Sequence, residues 1–260
     1  MLLQGQASIV TGGGRGIGRA IARRFAAEGA AVLVTARSAN EIEAVAAEIR
    51  AAGGRAAAVA GDVSGEEDCS RIVESARKEF GRVDILVNNA SIFGPIKPVE
   101  EISPAEWDEA LAINLRSAFL LSRLVLPEMY ARGSGVILNI SSLAAKAAFA
   151  WEAPYAASKA GLMGLTRCLA AEAARKGVRV NAICPGPVFE TKMSKDLGME
   201  LSRRMGLDPK KQVEDFAKTV LQGRGQTAQE IAAAAVFLVS SQASAITGQG
   251  LNVDGGMAFY

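Results

Sequence analysis

The feature that most constrains this chain is an alternation. Short apolar runs at residues 7–11, 30–35, 55–60, 83–88, 135–141, 178–184 and 249–253 are separated by stretches with helical patterning at 19–28, 41–52, 66–80, 104–114, 117–132, 155–176 and 227–241. The runs lack strict period-two alternation, as strands covered on both faces do. Strand, helix and strand in turn predict right-handed βαβ units on a parallel sheet. The expected fold class is α/β, a doubly wound seven-stranded parallel sheet with helices on both faces. The 260 residues read as a single domain, because no internal repeat, low-complexity tract or linker interrupts them. Thr227, with Glu230 three residues on, forms a capping box for the last helix.

Between the first strand and first helix lies Thr11-Gly-Gly-Gly-Arg-Gly-Ile-Gly18. Glycines are needed where the backbone turns tightly and approaches a pyrophosphate, and the following helix N-terminus offers N–H groups and positive dipole to phosphates. The spacing is G-x-x-x-G-x-G rather than G-x-G-x-x-G. The placement predicts a dinucleotide-binding Rossmann fold. The second strand ends Val34-Thr35-Ala36-Arg37, without the acid that would hold a ribose 2′-OH. Arg37 and Arg15 instead suit a 2′-phosphate, so NADP(H) is preferred, with NAD(H) the alternative. Asp62 and Val63 follow the third strand, where an adenine would lie. Asn88-Asn89-Ala90 ends the fourth, where an amide can tie neighbouring strands and face a cofactor.

The chemistry concentrates between Ser142 and Lys159. Tyr155 and Lys159 are four apart, hence one turn apart on one helical face. An ammonium beside a phenol favours the phenolate and should pull the tyrosine below its ordinary value of about 10. Such a tyrosine can act as general acid or base. Pro154 suits a helix opening.

Composition removes competing chemistries. There are no histidines, which excludes Ser-His-Asp and Cys-His catalysis and most zinc and non-haem iron sites, so no metal is expected. A formal charge of +2, from 29 basic and 27 acidic residues, shows no basic block for nucleic acid. Cys69, Cys168 and Cys184 are far apart and suit free thiols in a cytoplasmic setting. The N-terminus lacks the pattern of a signal peptide, and the apolar run at 231–239 is too short to span a bilayer, so no membrane partner is expected.

Together the glycine motif, Asn88-Asn89-Ala90, Asn114, Ser142, Tyr155-x-x-x-Lys159, Pro185-Gly186 and the ending Ile246-Thr-Gly-Gln-Gly-Leu-Asn-Val-Asp-Gly-Gly256 resemble the short-chain dehydrogenase/reductase family over nearly the whole chain. Ser142 lies thirteen residues before Tyr155, the interval usual in that family. The resemblance implies an NAD(P)-dependent oxidoreductase acting on CH–OH groups. Tyr155 would exchange a proton with the substrate oxygen, Lys159 would lower its pKa and hold the nicotinamide ribose, and Ser142 would polarise the carbonyl. Asn114 would position a water relaying protons to Lys159. Pro185, Ile183, Gly186 and Val188 would lie near the nicotinamide, with Thr191 bonding its carboxamide. The implied cofactor set is Gly12, Arg15, Gly16, Ile17, Gly18, Arg37, Asp62, Val63, Asn89, Ala90, Tyr155, Lys159, Pro185, Gly186, Val188 and Thr191.

Two departures stand out. Ser91 replaces the glycine usual after Asn-Asn-Ala, and Pro185 and Thr191 are six apart where five is commoner. Residues 187–226, polar and dotted with Met, should form a substrate lid, with Ile92-Phe93-Gly94-Pro95 and residues 146–152 as the opposite wall. Glu152 would disfavour a carboxylate substrate if it faces the site. Two substrate classes stay open: a 3-oxoacyl thioester on coenzyme A or a carrier protein, and a small ketone, sugar or polyol. A non-catalytic NADP-binding regulator would be expected to lose the tyrosine or lysine, and both are present. The family also implies a homotetramer.

Overall fold

The computed structural model describes all residues, Met1–Tyr260. In chain order the elements are β1 (Ala7–Thr11), α1 (Gly16–Ala27), β2 (Ala31–Ala36), α2 (Ala39–Ala51), β3 (Arg55–Ala60), α3 (Glu66–Phe80), β4 (Ile85–Asn88), α4 (Pro104–Leu111), α5 (Ser117–Arg132), β5 (Gly135–Ile140), α6 (Ala153–Ala173), β6 (Val178–Pro185), α7 (Lys192–Met205), α8 (Pro209–Lys218), α9 (Ala228–Val239) and β7 (Gly250–Val253). The seven strands form one sheet in the order β3-β2-β1-β4-β5-β6-β7, with every neighbouring pair parallel. Each strand therefore needs a crossover, and helices fill both faces.

One face is sealed by α1, α2 and α9, whose Ile21, Phe25, Ile42, Val45, Ile231 and Val236 are buried against β1, β2 and their neighbours. The other is sealed by α3, α5 and α6 through Ile72, Val73, Leu121, Val125, Met129 and Leu169. The inner strands read as continuous apolar runs because water reaches neither side of them, whereas the edge strands β3 and β7 are only partly buried.

Chain order reverses between β1 and β4: β2 and β3 lie on one side of β1, and β5 to β7 beyond β4. The loops leaving the C-terminal ends of β1 and β4 diverge there and open a crevice, the place where ligands bind in open α/β sheets.

Three local features depart from the sequence pattern. The stretches at 104–114 and 117–132 run together through a π-turn at Ala112–Arg116, which changes the hydrogen-bond register beside Asn114. The combined helix, Pro104–Arg132, is long and apolar enough to cross a bilayer, but 56% of its most apolar window is buried and its apolar residues seal the sheet. Beyond β6, α7 reaches fourteen residues, with Thr191 accepting from Ser194 N as its cap, and Asp208 caps α8 in the same way. The capping box of α9 is formed as its sequence predicts, Thr227 Oγ1 accepting from Glu230 N and Glu230 from Thr227 N.

Candidate active site

The C-terminal ends of the strands open into a cleft of about 630 Å³. Its floor is the glycine loop. Gly12 (φ 60°) and Gly16 (φ 53°) occupy the left-handed region that other residues avoid. A Cβ on Gly18 would fall 2.2 Å from Gly12 O, and one on Gly12 would fall 2.9 Å from Ala90 Cα. The loop is therefore pressed against the end of β4 and against its own helix, with α1 directing its N-terminus into the cleft.

Asn89 holds this contact. Its Nδ2 donates to Thr11 O (2.8 Å) and Gly12 O (3.2 Å), while Thr11 Oγ1 accepts from Asn89 N and Ala90 N, both at 2.9 Å. One side chain and one hydroxyl thus join β1 to β4 at the crevice. The amide tie expected from the sequence is present.

All sixteen residues expected to contact a cofactor line this one cleft, from Gly12 through Arg37, Asp62 and Asn89 to Thr191. Arg37 is exposed at the end of β2 and makes no ion pair, whereas Arg15 pairs with Glu41 at 3.3 Å. Asp62 accepts from Ser64 N and Oγ and shapes the turn after β3. The Thr191 hydroxyl is engaged by Val188 O (2.9 Å) and Ser194 N, and a Cβ on Gly16 would lie 3.4 Å from its methyl group. Thr191 therefore faces the glycine loop across the cleft in spite of its extra residue of spacing. Ile183, expected near the nicotinamide, is fully buried in the core on β6 and does not line the cleft.

At the inner end Ser142, Tyr155 and Lys159 meet. Pro154 sits in the first turn of α6, and Tyr155 and Lys159 follow on its buried face. Lys159 Nζ lies 5.6 Å from the Tyr155 ring centroid and donates to Ile140 O at 2.9 Å. The Phe93 ring stacks on the phenol, with centroids 4.4 Å apart. Ser142 Oγ accepts from Ala144 N at 3.1 Å.

The expectation of an acidified tyrosine is reversed. Burial pushes Tyr155 up to about 12, although the Ser142 hydroxyl beside it pulls the other way. Burial equally pushes Lys159 down to about 7. The reason is common to both: in an enclosed site each group disfavours its charged form.

Asn114 lies behind the cleft rather than in its wall. Its Oδ1 accepts from Ile92 N (2.8 Å) and Ser91 Oγ (3.0 Å), and its Nδ2 donates to Ile92 O (2.9 Å) and Ser158 Oγ (3.0 Å). Both donors and both acceptor positions of the amide are used, so the side chain has no capacity left to hold a relay water. Ser158 Oγ in turn donates to Tyr155 O at 2.7 Å. Asn114 thus fastens the 91–92 loop to the helix that carries the tyrosine. Ser91 and Ser158 were not foreseen in this network. Ser91 was visible only as a residue where glycine is usual.

The residues present fit a dinucleotide. The glycine cradle leaves no room for side chains where phosphates would pass, the α1 N-terminus faces that space, and cations lie where a ribose phosphate would project.

Comparison with known proteins agrees with this geometry. The family profile described as short chain dehydrogenase matches residues 6–201. The chain is 40% identical to the short-chain reductase protein NovJ of Streptomyces niveus over 97% of this chain and 94% of that one. It is 38% identical to the D-threitol dehydrogenase of Mycolicibacterium smegmatis over 98% and 93% of the two chains. The fold superimposes with a TM-score of 0.94 on the crystal structure of F189W actinorhodin polyketide ketoreductase with NADPH, at 35% identity and 98% coverage of both chains. A parallel seven-stranded sheet, a glycine cradle at its switch point and a Ser-Tyr-Lys cluster at the inner end of one cleft are thereby explained together: the chain belongs to the short-chain dehydrogenase family and is an oxidoreductase of that kind.

Proposed function

We propose that this protein is an NADP(H)-dependent oxidoreductase that interconverts a carbonyl and a secondary alcohol on a small molecule. The observation that carries this reading is the convergence of Ser142, Tyr155 and Lys159 at the end of the cleft that begins at the glycine loop. The preference for the 2′-phosphorylated cofactor is supported by exposed Arg37 at the end of β2, by Arg15, and by the lack of an acid at the strand end. Gly12, Gly16, Gly18 and the α1 N-terminus would hold the pyrophosphate, Asp62 and Val63 the adenine, and Gly186, Val188 and Thr191 the nicotinamide end. When bound, the nicotinamide supplies or accepts the hydride.

The chain's own residues handle the proton and the orientation. A tyrosine held near 12 keeps its proton at neutral pH, as the acid for carbonyl reduction must. Tyr155 Oη gives that proton to the carbonyl oxygen, and Ser142 Oγ hydrogen-bonds the same oxygen as negative charge develops on it. The Lys159 ammonium stabilises the phenolate left behind. Phe93, stacked on the phenol, shields it from bulk water. Helices α7 and α8 form the lid, held by Phe216 against Phe149 (6.4 Å) and Phe189 (6.3 Å).

Both a small ketone or polyol and a carrier-borne 3-oxoacyl thioester fit this reading. The relatives' names include both a D-threitol dehydrogenase and a polyketide ketoreductase. Steady-state consumption of NADPH and NADH with a panel of ketones and thioesters tests the reading. Turnover of small ketones with NADPH well ahead of NADH is expected. Cofactor binding without turnover of any carbonyl would overturn it in favour of a regulator. We also infer a cytoplasmic homotetramer, supported by the three free cysteines and by apolar groups left exposed at Phe119, Leu251 and Phe259. Sedimentation as a 27.1 kDa monomer would refute the assembly.

A further inference from the structure

Beside the Ser142 and Tyr155 hydroxyls the cleft is lined by carbon. The loop after β4 supplies Ile92, Phe93 and Ile96, Ile113 joins them from the π-turn, and α7 adds Met193 and Leu197, four apart and so on one helical face. All but Ile113 are only half-buried, so apolar surface still faces the open cleft. The Phe93 ring lies within 16° of the Tyr155 ring plane, with centroids 4.4 Å apart, which sets it beside the hydroxyl that meets the carbonyl. Its loop is held in place: Asn114 accepts from Ile92 N and donates to Ile92 O, gripping the residue before it on both sides.

The charged side chains along the cleft are committed elsewhere. Lys192 pairs with Asp196, and Glu200 with Arg203 and Arg204, all within α7. Arg15 pairs with Glu41, while Arg37 and Asp62 lie just beyond β2 and β3, at the cofactor end. Lys159 Nζ donates to Ile140 O, and Ser91 Oγ to Asn114 Oδ1. Glu152 is not part of the cleft wall. A hydroxyl or carboxylate pressed against Phe93 and the isoleucines would lose its water and meet carbon, which is costly.

We propose that Phe93 is the specificity-determining residue of the substrate site and that the substrate class is ketones bearing an apolar ring, the ring packing on Phe93 while the carbonyl reaches the Tyr155 and Ser142 hydroxyls. Covering half-buried apolar groups with an apolar ligand favours binding in proportion to the area removed from water. A ring laid on or against Phe93 adds the preferred geometry of aromatic pairs. Because Asn114 already holds the loop, little ordering is left to offset that gain. A polyol would bury its hydroxyls against carbon, and a straight 3-oxoacyl chain would leave the Phe93 face without a ring partner. This inference rests on the carbonyl-reductase reading above.

The test is the kcat/KM with NADPH for 4-phenyl-2-butanone against 2-butanone, 2-octanone, dihydroxyacetone and acetoacetyl-coenzyme A. The first three share a methyl ketone and differ only in what the wall would hold. Wild type should prefer the phenyl ketone to each of the others by about tenfold or more. Phe93→Ala should cut that preference by about tenfold. Phe93→Leu, which keeps apolar bulk in case the alanine variant folds poorly, should cut it by less. A wild-type preference for any other member, or losses in the variants that are equal on ring and straight-chain ketones, overturns the assignment of Phe93 and leaves the reductase reading standing. Absence of turnover with all of these carbonyls, with NADPH binding intact by calorimetry, overturns both.

Discussion

Lys159 Nζ sits 5.6 Å from the centroid of the Tyr155 ring while donating to Ile140 O at 2.9 Å. The ammonium is moored to the end of β5 and lies over the ring of its neighbour. Burial holds it near 7, well below the ordinary 10.5 of a lysine, so it loses its charge as pH rises through 7. Tyr155, held near 12, remains protonated over the same range. The proton donor therefore persists above neutrality while the charge that stabilises the phenolate does not. The rate of ketone reduction should fall as pH rises above about 7, by roughly tenfold per unit at the steepest. A pH–rate profile at saturating NADPH checks this. A rate constant from pH 6 to 9 would contradict it.

Cofactor choice should follow two arginines and one acid. Arg37 has no acid partner, whereas Arg15 is held by Glu41 at 3.3 Å. Arg37→Ala should weaken NADPH binding by about 10- to 100-fold, the worth of a charge-assisted hydrogen bond, and should leave NADH nearly unchanged. Glu41→Gln removes a negative charge near the 2′-phosphate and should act in the opposite direction. Dissociation constants for both cofactors measure each effect.

Gly18 faces a hard steric limit. A Cβ there would lie 2.2 Å from Gly12 O and 2.5 Å from Asn89 Nδ2. Gly18→Ala must push the loop away from β4 and so break the Asn89 tie. Forced overpacking costs about 1–3 kcal/mol, so thermal unfolding should shift down by several degrees. NADPH binding should be lost in the same variant. Unchanged affinity by calorimetry would show that the cradle is not the phosphate site.

Glu152 gives the clearest effect of pH on stability. Burial pushes its carboxyl up to about 7 from an ordinary 4.5. The folded protein then holds a proton that the unfolded chain releases, so the contribution is complete below pH 4.5 and is lost as pH rises through 7. Glu152→Gln should accordingly stabilise the protein at pH 8 by about 2 kcal/mol after allowance for partial screening, and by almost nothing at pH 4.5. Urea unfolding at the two pH values checks the difference.

The sheet, its strand positions and the glycine turn are legible because they follow from local chemistry. Doubly covered strands read as unbroken apolar runs, Gly12 and Gly18 are demanded by the space around them, and Gly16 by its positive φ. Thr227 and Glu230 announce their helix start for the same reason. What stayed hidden depends on three-dimensional enclosure. The sign of the Tyr155 shift is set by burial, which no four-residue spacing reports. The saturation of Asn114 needs the 91–92 loop and α6 to meet, and the π-turn beside it has no signature in Ala112–Arg116. Ile183 sits on β6 two residues before cleft-lining Pro185 yet turns its side chain into the core, which the apolar run alone does not report.

The account depends above all on the phenol of Tyr155 as the proton donor. Tyr155→Phe keeps the ring, its stacking on Phe93 and the burial of Lys159, and it removes only the hydroxyl. Single-turnover oxidation of bound NADPH by a reactive ketone is the direct measurement. The predicted result is a rate lowered by about 10²- to 10⁴-fold with NADPH affinity preserved. A rate within a few fold of wild type, with cofactor still bound, would contradict it.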